Sequence, residues 1–189
     1  MTALVRMAPR AGYSAHAHAD TEELFLLSGE LHVGDIRLRT GDYCAGVPGS
    51  RHVASVSPAG CTFVIHASED DRLGEDAPGS TEGILVVHAG DGAWQPGPAE
   101  GVRYRVLQED AERSTRTSLV RMAPGAVIPA HHHHVAEQVY FLEGDGRVAG
   151  EELGPGDYYR VPAGTVHEPS TTRQGCTFLV IASRNEVLA

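Results

Sequence analysis

His131, His133, Glu137 and His167 are the residues whose types and spacing lend themselves to chemistry. On a β-strand, positions two apart share a face, so the imidazoles of His131 and His133 leave together while His132 and His134 point away. Glu137 opens a β-favouring run to Leu142 that stops at Gly144. His167 follows the turn-forming stretch Pro162-Ala163-Gly164. Three imidazoles and a carboxylate at one point make a site for a first-row divalent metal. Such ligation needs neutral imidazoles and an ionised carboxylate, so acid is expected to empty the site. Four protein ligands on an octahedral ion leave about two positions for water, substrate or dioxygen. That preference fits Fe2+, Mn2+, Ni2+ or Co2+, with Zn2+ the four-coordinate alternative.

The same set occurs twice. Adding 115 to the numbers Leu4 to Ser68 lands on Leu119 to Ser183 without a gap, and Leu4-Val5-Arg6-Met7-Ala8-Pro9 maps unchanged onto Leu119 to Pro124. His16, His18, Glu22 and His52 fall on the four residues named above, and Gly60-Cys61-Thr62-Phe63 falls on Gly175 to Phe178. An internal repeat of this kind means two copies of one structural unit. Up to two metal ions per chain are therefore expected. Glu23 adjoins Glu22, but only Glu22 keeps the spacing to Gly29. His132 and His134 read as a solvated face, and His32, His66 and His88 as surface or packed residues. Arg6 and Arg121, which recur in both repeats, are either strand residues paired with acids or groups that reach an anionic substrate.

Both halves resemble cupin domains, and the pair resembles a bicupin. The pattern G-x5-H-x-H-x3-E-x6-G is met by Gly125, His131, His133, Glu137 and Gly144, and G-x5-P-x-G-x2-H by Gly156, Pro162, Gly164 and His167. The first half departs with Arg10 in place of the leading glycine, and with Val47 where the proline belongs and Pro48 one place late. The Gly-Cys-Thr-Phe endings, with Trp94, Pro98, Gly101-Val102 and Leu107, resemble the cupin domain of ChrR-type anti-sigma factors and some small diketone- and acetophenone-cleaving dioxygenases. The resemblance implies an all-β chain of two tandem cupin barrels, each a double-stranded β-helix or jelly roll.

The elements that must position the site agree. Short β-favouring runs at about 8–12 residue spacing, punctuated by Gly and Pro, indicate an all-β sandwich or barrel. In the first half the strands are Leu4 to Ala8, the segment bearing His16 and His18, Glu22 to Leu27, Glu30 to Val33 after a turn at Ser28-Gly29, Ile36 to Arg39, and Thr62 to Ala67. Residues 1–68 read as the first cupin domain, short at its N-terminus, 69–90 as an acidic linker with one strand at Ile84 to His88, and 91–189 as the second. Glu137 is expected on the strand after His133, and His167 on a strand across the barrel. The leader before the second repeat, Ile84 to Gln108, has no counterpart before Leu4, so the first domain is expected to lack edge strands or to borrow them from the linker or a partner subunit. Homodimerisation through such an edge follows as an expectation.

With 189 residues, a formal charge of −10 and no Lys/Arg cluster, the chain is not expected to bind nucleic acid or an anionic membrane. No apolar run approaches the roughly 20 residues of a membrane span, and the N-terminus lacks a signal-peptide core, so a cytoplasmic location is the expectation. Cys61 and Cys176 sit at equivalent positions and read as small buried residues; Cys44 faces Tyr159 in the other repeat. The partner expected is a small-molecule ligand. One function is an oxygenase acting on a chelating carbonyl compound, a diketone or hydroxyketone, in an apolar barrel with Leu24, Leu26, Val139 and Phe141 beside the glutamates. The alternative is a metal-dependent sensor like the anti-sigma relatives. In those relatives a zinc-binding helical domain precedes the cupin; here the first repeat begins at Leu4, which favours the enzyme. Tyr13, Tyr43 and Tyr158 are the candidate acid–base groups, with the catalytic residue itself unassigned.

Overall fold

Val, Ile, Leu, Phe and Tyr alternate with polar residues along each repeat, and a period of two buries one face of every strand. The computed structural model describes residues 1–67, 72–73, 81, 83–184 and 187–188, with Arg72–Leu73 and Val187–Leu188 described by backbone alone. The expected linker, 69–90, therefore lies largely outside the described residues. Two compact units result, Met1–Asp91 and Gly92–Ala189. Among the described residues no helix is long and apolar enough to cross a membrane.

In the first unit the main sheet runs Thr2–Met7, Cys61–His66, Glu22–Val33, Tyr43–Gly46 and Ile84–Val87, antiparallel throughout. Ile36–Arg39 and Ser55–Val56 pair with the far half of Glu22–Val33. Arg72–Leu73, His16–Ala17 and Arg51–His52 form a three-stranded ribbon. The second unit repeats the scheme, its main sheet running Gln95–Pro96, Val102–Asp110, Thr115–Met122, Cys176–Ser183, Glu137–Gly144 and Tyr158–Val161. Its ribbon is Val166–His167, His131–His132 and Val187–Leu188. Thus the repeat extends past Ser68 and Ser183, since Arg72–Leu73 and Val187–Leu188 hold equivalent places.

One detail corrects the sequence reading, and two more give its expectations a physical form. Ser28-Gly29 is no turn: Glu22–Val33 is one strand of 12 residues, and its register against Cys61–His66 shifts between Leu26 and Ser28. A matching shift falls between Phe141 and Glu143. This bulge explains the glycine that closes the first motif. Gly29 and Gly144 have φ of +84° and +80°, and a Cβ on them would lie 2.2 and 1.9 Å from the carbonyl oxygens of Gly60 and Gly175. Second, the segment between the repeats gives the first unit its edge strand, Ile84–Val87. Asp42 clasps that segment, its buried carboxylate accepting from Arg39 N at 2.8 Å, Ala89 N at 2.8 Å and His88 Nδ1 at 3.2 Å. Third, Arg10, where the motif wants glycine, adopts φ +66° beside the +77° of Gly125. Arg10 N donates to Ser57 O and Gly125 N to Thr172 O, equivalent bonds in the two repeats.

The cores lie inside each unit. Met7, Leu24, Leu26, Leu31, Val33, Leu38 and Phe63 fill the first, and Val102, Met122, Val139, Phe141, Val148 and Phe178 the second. Each such side chain contributes about 1.5–3 kcal/mol on burial. Cys61 and Cys176 are buried free thiols within these cores, and burial pushes Cys176 up to about 11.

Candidate metal centres

Each cluster is assembled by a ribbon and the main strand that follows it. His16 pairs directly with His52, and His131 with His167, as antiparallel neighbours. The third histidine is therefore on the adjacent strand and not across the barrel, because both ribbon strands are short enough to hang from one loop region. His18 N donates to Ser50 O and accepts Gly49 N at its own carbonyl; His133 does the same with Thr165 and Gly164. These reciprocal bonds are the same in both units, so the displaced Pro48 leaves the placement of His52 intact.

Ligand-type atoms of His16, His18, Glu22 and His52 all lie within 4.8 Å of one another, and so do those of His131, His133, Glu137 and His167. Ring centroids are 4.2–5.0 Å apart in the first cluster and 4.6–4.9 Å in the second. All the imidazoles are buried. His16 Nε2 and His18 Nδ1 stand 3.9 and 3.8 Å from Glu22 Oε2, too long for a direct hydrogen bond and suited to an ion between them.

The fit to a metal is set by the outer nitrogens. His16 Nδ1 meets Ser14 O at 2.9 Å, His131 Nδ1 meets Pro129 O at 2.9 Å, His52 Nδ1 meets Val53 O at 2.7 Å, and His167 Nδ1 meets Glu168 O at 2.5 Å. A carbonyl only accepts, so Nδ1 carries the proton and the Nε2 lone pair turns toward the centre, the tautomer a metal requires. Protonation states agree. Burial, the largest influence on His52, holds it below the ordinary histidine range and keeps it neutral. Burial pushes Glu22 up, but the facing imidazoles of His16, His18 and His52 together outweigh it, and Glu22 ends below the ordinary carboxylate range, ionised. Cys44, beside the first cluster, is pushed up to about 12 by burial and by Glu22, so it stays a neutral thiol.

Each cluster opens on a cavity inside its own unit. The first, about 350 Å³, is lined by His16, Glu22 and His52 with Leu24, Leu31, Val33, Leu38, Phe63 and Ile65. The second, about 400 Å³, is lined by His131 and Glu137 with Val120, Met122, Val139, Phe141, Phe178 and Val180. Leu24, Val139 and Phe141 thus stand where expected, while Leu26 is sealed in the core. His132 and His134 meet edge to face, their centroids 4.7 Å apart, away from the cluster. Glu23 accepts from Tyr43 OH at 2.9 Å, and Tyr158 OH donates to Gln138 at 2.8 Å, so of the three tyrosines Tyr13 alone lines a cavity. His66 bonds Thr2 Oγ1, His32 meets Glu30, and His88 holds Asp42. Arg121 lies 4.5 Å over the Trp94 ring and Arg6 is exposed; neither lines the cavity beside its cluster. The arginines lining the second of these cavities are Arg116 and Arg184. Comparing the repeats for their differences would have found the first, since Arg116 answers to Met1.

A shared architecture relates these units to solved bicupins. A candidate dioxygenase from Nostoc punctiforme superposes with a TM-score of 0.84 at 13% identity, covering 100% of this chain and 72% of that one. Salicylate 1,2-dioxygenase from Pseudoaminobacter salicylatoxidans gives 0.69 at 14% identity, covering 96% and 67%. Oxalate decarboxylase from Lactobacillus farciminis gives 0.69 at 15% identity, covering 99% and 79%. At such identities the likeness establishes the fold: an all-β bicupin carrying two His/Glu clusters. Over residues 1–69 and 82–184 the sequence matches the ChrR cupin-like domain, and the chain belongs to that family. No curated protein matches it.

Proposed function

We propose that the chain is a metal-dependent oxygenase that cleaves a small chelating carbonyl compound, a diketone or hydroxyketone, with dioxygen. The observation that carries this reading is the opening of each His₃Glu cluster onto a mostly apolar cavity of 350–400 Å³. A divalent ion bound there supplies a Lewis acid with open positions that hold and polarise the ligand's oxygens. The chain's residues do the rest. The backbone carbonyls of Ser14, Val53, Pro129 and Glu168 fix the imidazoles of His16, His52, His131 and His167 before anything binds. The walls formed by Leu24 and Phe63, or by Val139 and Phe178, exclude water and receive the hydrocarbon part.

The candidate dioxygenase and salicylate 1,2-dioxygenase share this fold, which supports the reaction class. The test is oxygen uptake by Fe2+-, Mn2+- and Ni2+-loaded protein against a panel of diketones and hydroxyketones, with products identified by mass spectrometry. Metal-dependent uptake that falls in His167→Ala or His52→Ala supports the reading, and no uptake above metal-free protein with any of the three metals overturns it. Membership of the ChrR cupin-like family favours a second reading, a metal-dependent small-molecule sensor. Tight ligand binding to zinc-loaded protein, with no turnover under any metal, would select it.

A further inference from the structure

We infer that the cavity of the second unit takes an organic anion, an apolar body ending in a carboxylate, seated on Arg116 and Ser118. The first cavity lacks this seat. The inference rests on the proposed reading of the cavity as the ligand chamber of a metal centre, and adds the ligand's chemical class.

Register carries it. Arg116 and Ser118 are two apart on Thr115–Met122 and face the cavity together. Arg116 pairs with Ala182. Gln138 pairs with Ile181, so one step along, Glu137 stands opposite Ala182. Arg116, Ala182 and Glu137 therefore form one row across three neighbouring strands, and all three line the cavity. Two strand spacings put the backbones of Arg116 and Glu137 about 10 Å apart. The small Ala182 leaves the row between them open. A ligand chelating beside Glu137 can reach Arg116 with a group a few bonds away.

The two groups are available for it. Arg184, also at the cavity, is ion-paired with Glu109 at 3.0 Å. Arg116 meets no carboxylate among the described residues; its guanidinium lies over Tyr104, 5.1 Å from the ring centroid. Ser118 is 3% exposed, and its Oγ has no hydrogen-bond partner. A buried hydroxyl left unbonded is costly, and a ligand oxygen relieves it. In the first repeat these positions are Met1 and Ala3, which line the first cavity with side chains that carry neither charge nor hydroxyl.

The test uses zinc-loaded full chain, so no oxidation intervenes, titrated calorimetrically with 4,6-dioxoheptanoate and with its methyl ester. Both offer the same diketone, and only the acid offers a carboxylate. The acid is expected to bind one site per chain about tenfold or more tighter than the ester, the size of one charge-assisted hydrogen bond. Arg116→Gln should bring the ratio toward one, with unchanged zinc content reporting an intact chamber. Arg116→Lys should keep part of the preference, and Ser118→Ala should weaken the acid several-fold alone. Equal affinity of acid and ester for the unaltered protein, or a preference that survives Arg116→Gln, overturns the inference and leaves the chelating centre standing. Binding of neither compound overturns both.

Discussion

Gly46→Ala is the sharpest probe of the first centre. Gly46 stands opposite Glu22 in the main sheet, with the His18 ring against its α-carbon. A Cβ there would lie 2.8 Å from His18 Cδ2, 3.1 Å from His18 Nε2 and 2.8 Å from Ser50 Oγ. Carbon atoms rest at about 3.5–4.0 Å, so the ring must yield by roughly 0.7 Å. Metal–ligand distances hold within about 0.2 Å, and disturbances of ligand support typically cost about 10–100-fold in metal affinity. The substitution should therefore weaken metal at the first site by that factor and leave the second site unchanged, with an overpacking cost of about 1–3 kcal/mol. Competition against a chromogenic chelator, fitted to two sites per chain, reads the effect, with His52→Ala marking full loss of the first site. The equivalent residue in the second unit is the buried Val161, opposite Glu137. A Gly46→Ala protein whose first site binds within twofold of normal would refute the reasoning, showing that His18 can retreat without loss of the metal.

Further expectations follow from the backbone and from Asp42. Gly144→Ala should destabilise by about 3 kcal/mol or more, because its Cβ would sit 1.9 Å from Gly175 O, whereas Gly125→Ala, with nothing within 4 Å, should cost about 1–2 kcal/mol; urea unfolding separates them. Arg10→Gly should stabilise by about 0.5–1 kcal/mol by relieving φ +66°, seen as a higher Tm. Burial pushes the Asp42 carboxyl up, but donation from Arg39 N, Ala89 N and His88 outweighs it, so Asp42 stays ionised below the usual range. Its contribution is present above the unfolded value of about 3.9 and is lost as pH falls through the lower folded value. Asp42→Asn should accordingly cost about 1.5–3 kcal/mol at pH 7, and the gap should close in urea titrations toward pH 3. Among the described residues of the first unit Thr2–Met7 pairs on one side only, and Leu4 is 58% exposed where Leu119 is 5%. A homodimer through that edge is expected by light scattering, with Leu4→Asp shifting it to monomer.

The repeat made most of the site legible. Spacing alone separated Glu22 from Glu23 and His131 and His133 from His132 and His134, because strand alternation is a local property. What stayed hidden is non-local. The pairing of His131 with His167 depends on register between segments more than 30 residues apart in sequence. Strands of two residues such as Arg72–Leu73 are too short to show a period. Ser28-Gly29 carries the composition of a turn, yet the carbonyl of Gly60 crowding Gly29 makes it a bulge. Arg116 and Ser118 belong to an ordinary alternating strand, and only their difference from Met1 and Ala3 sets them apart.

Four of the six imidazoles, those of His16, His52, His131 and His167, are steered by the main-chain carbonyls of Ser14, Val53, Pro129 and Glu168. Every residue type supplies that acceptor, so drift in the neighbouring side chains does not erase it. The orientation of the metal-facing nitrogens is inherited with the loop path. A mutagenic library can vary the identities at Ser14, Val53 and Glu168 while the coordinating geometry persists, leaving the chamber walls free to diverge between the two halves of one polypeptide.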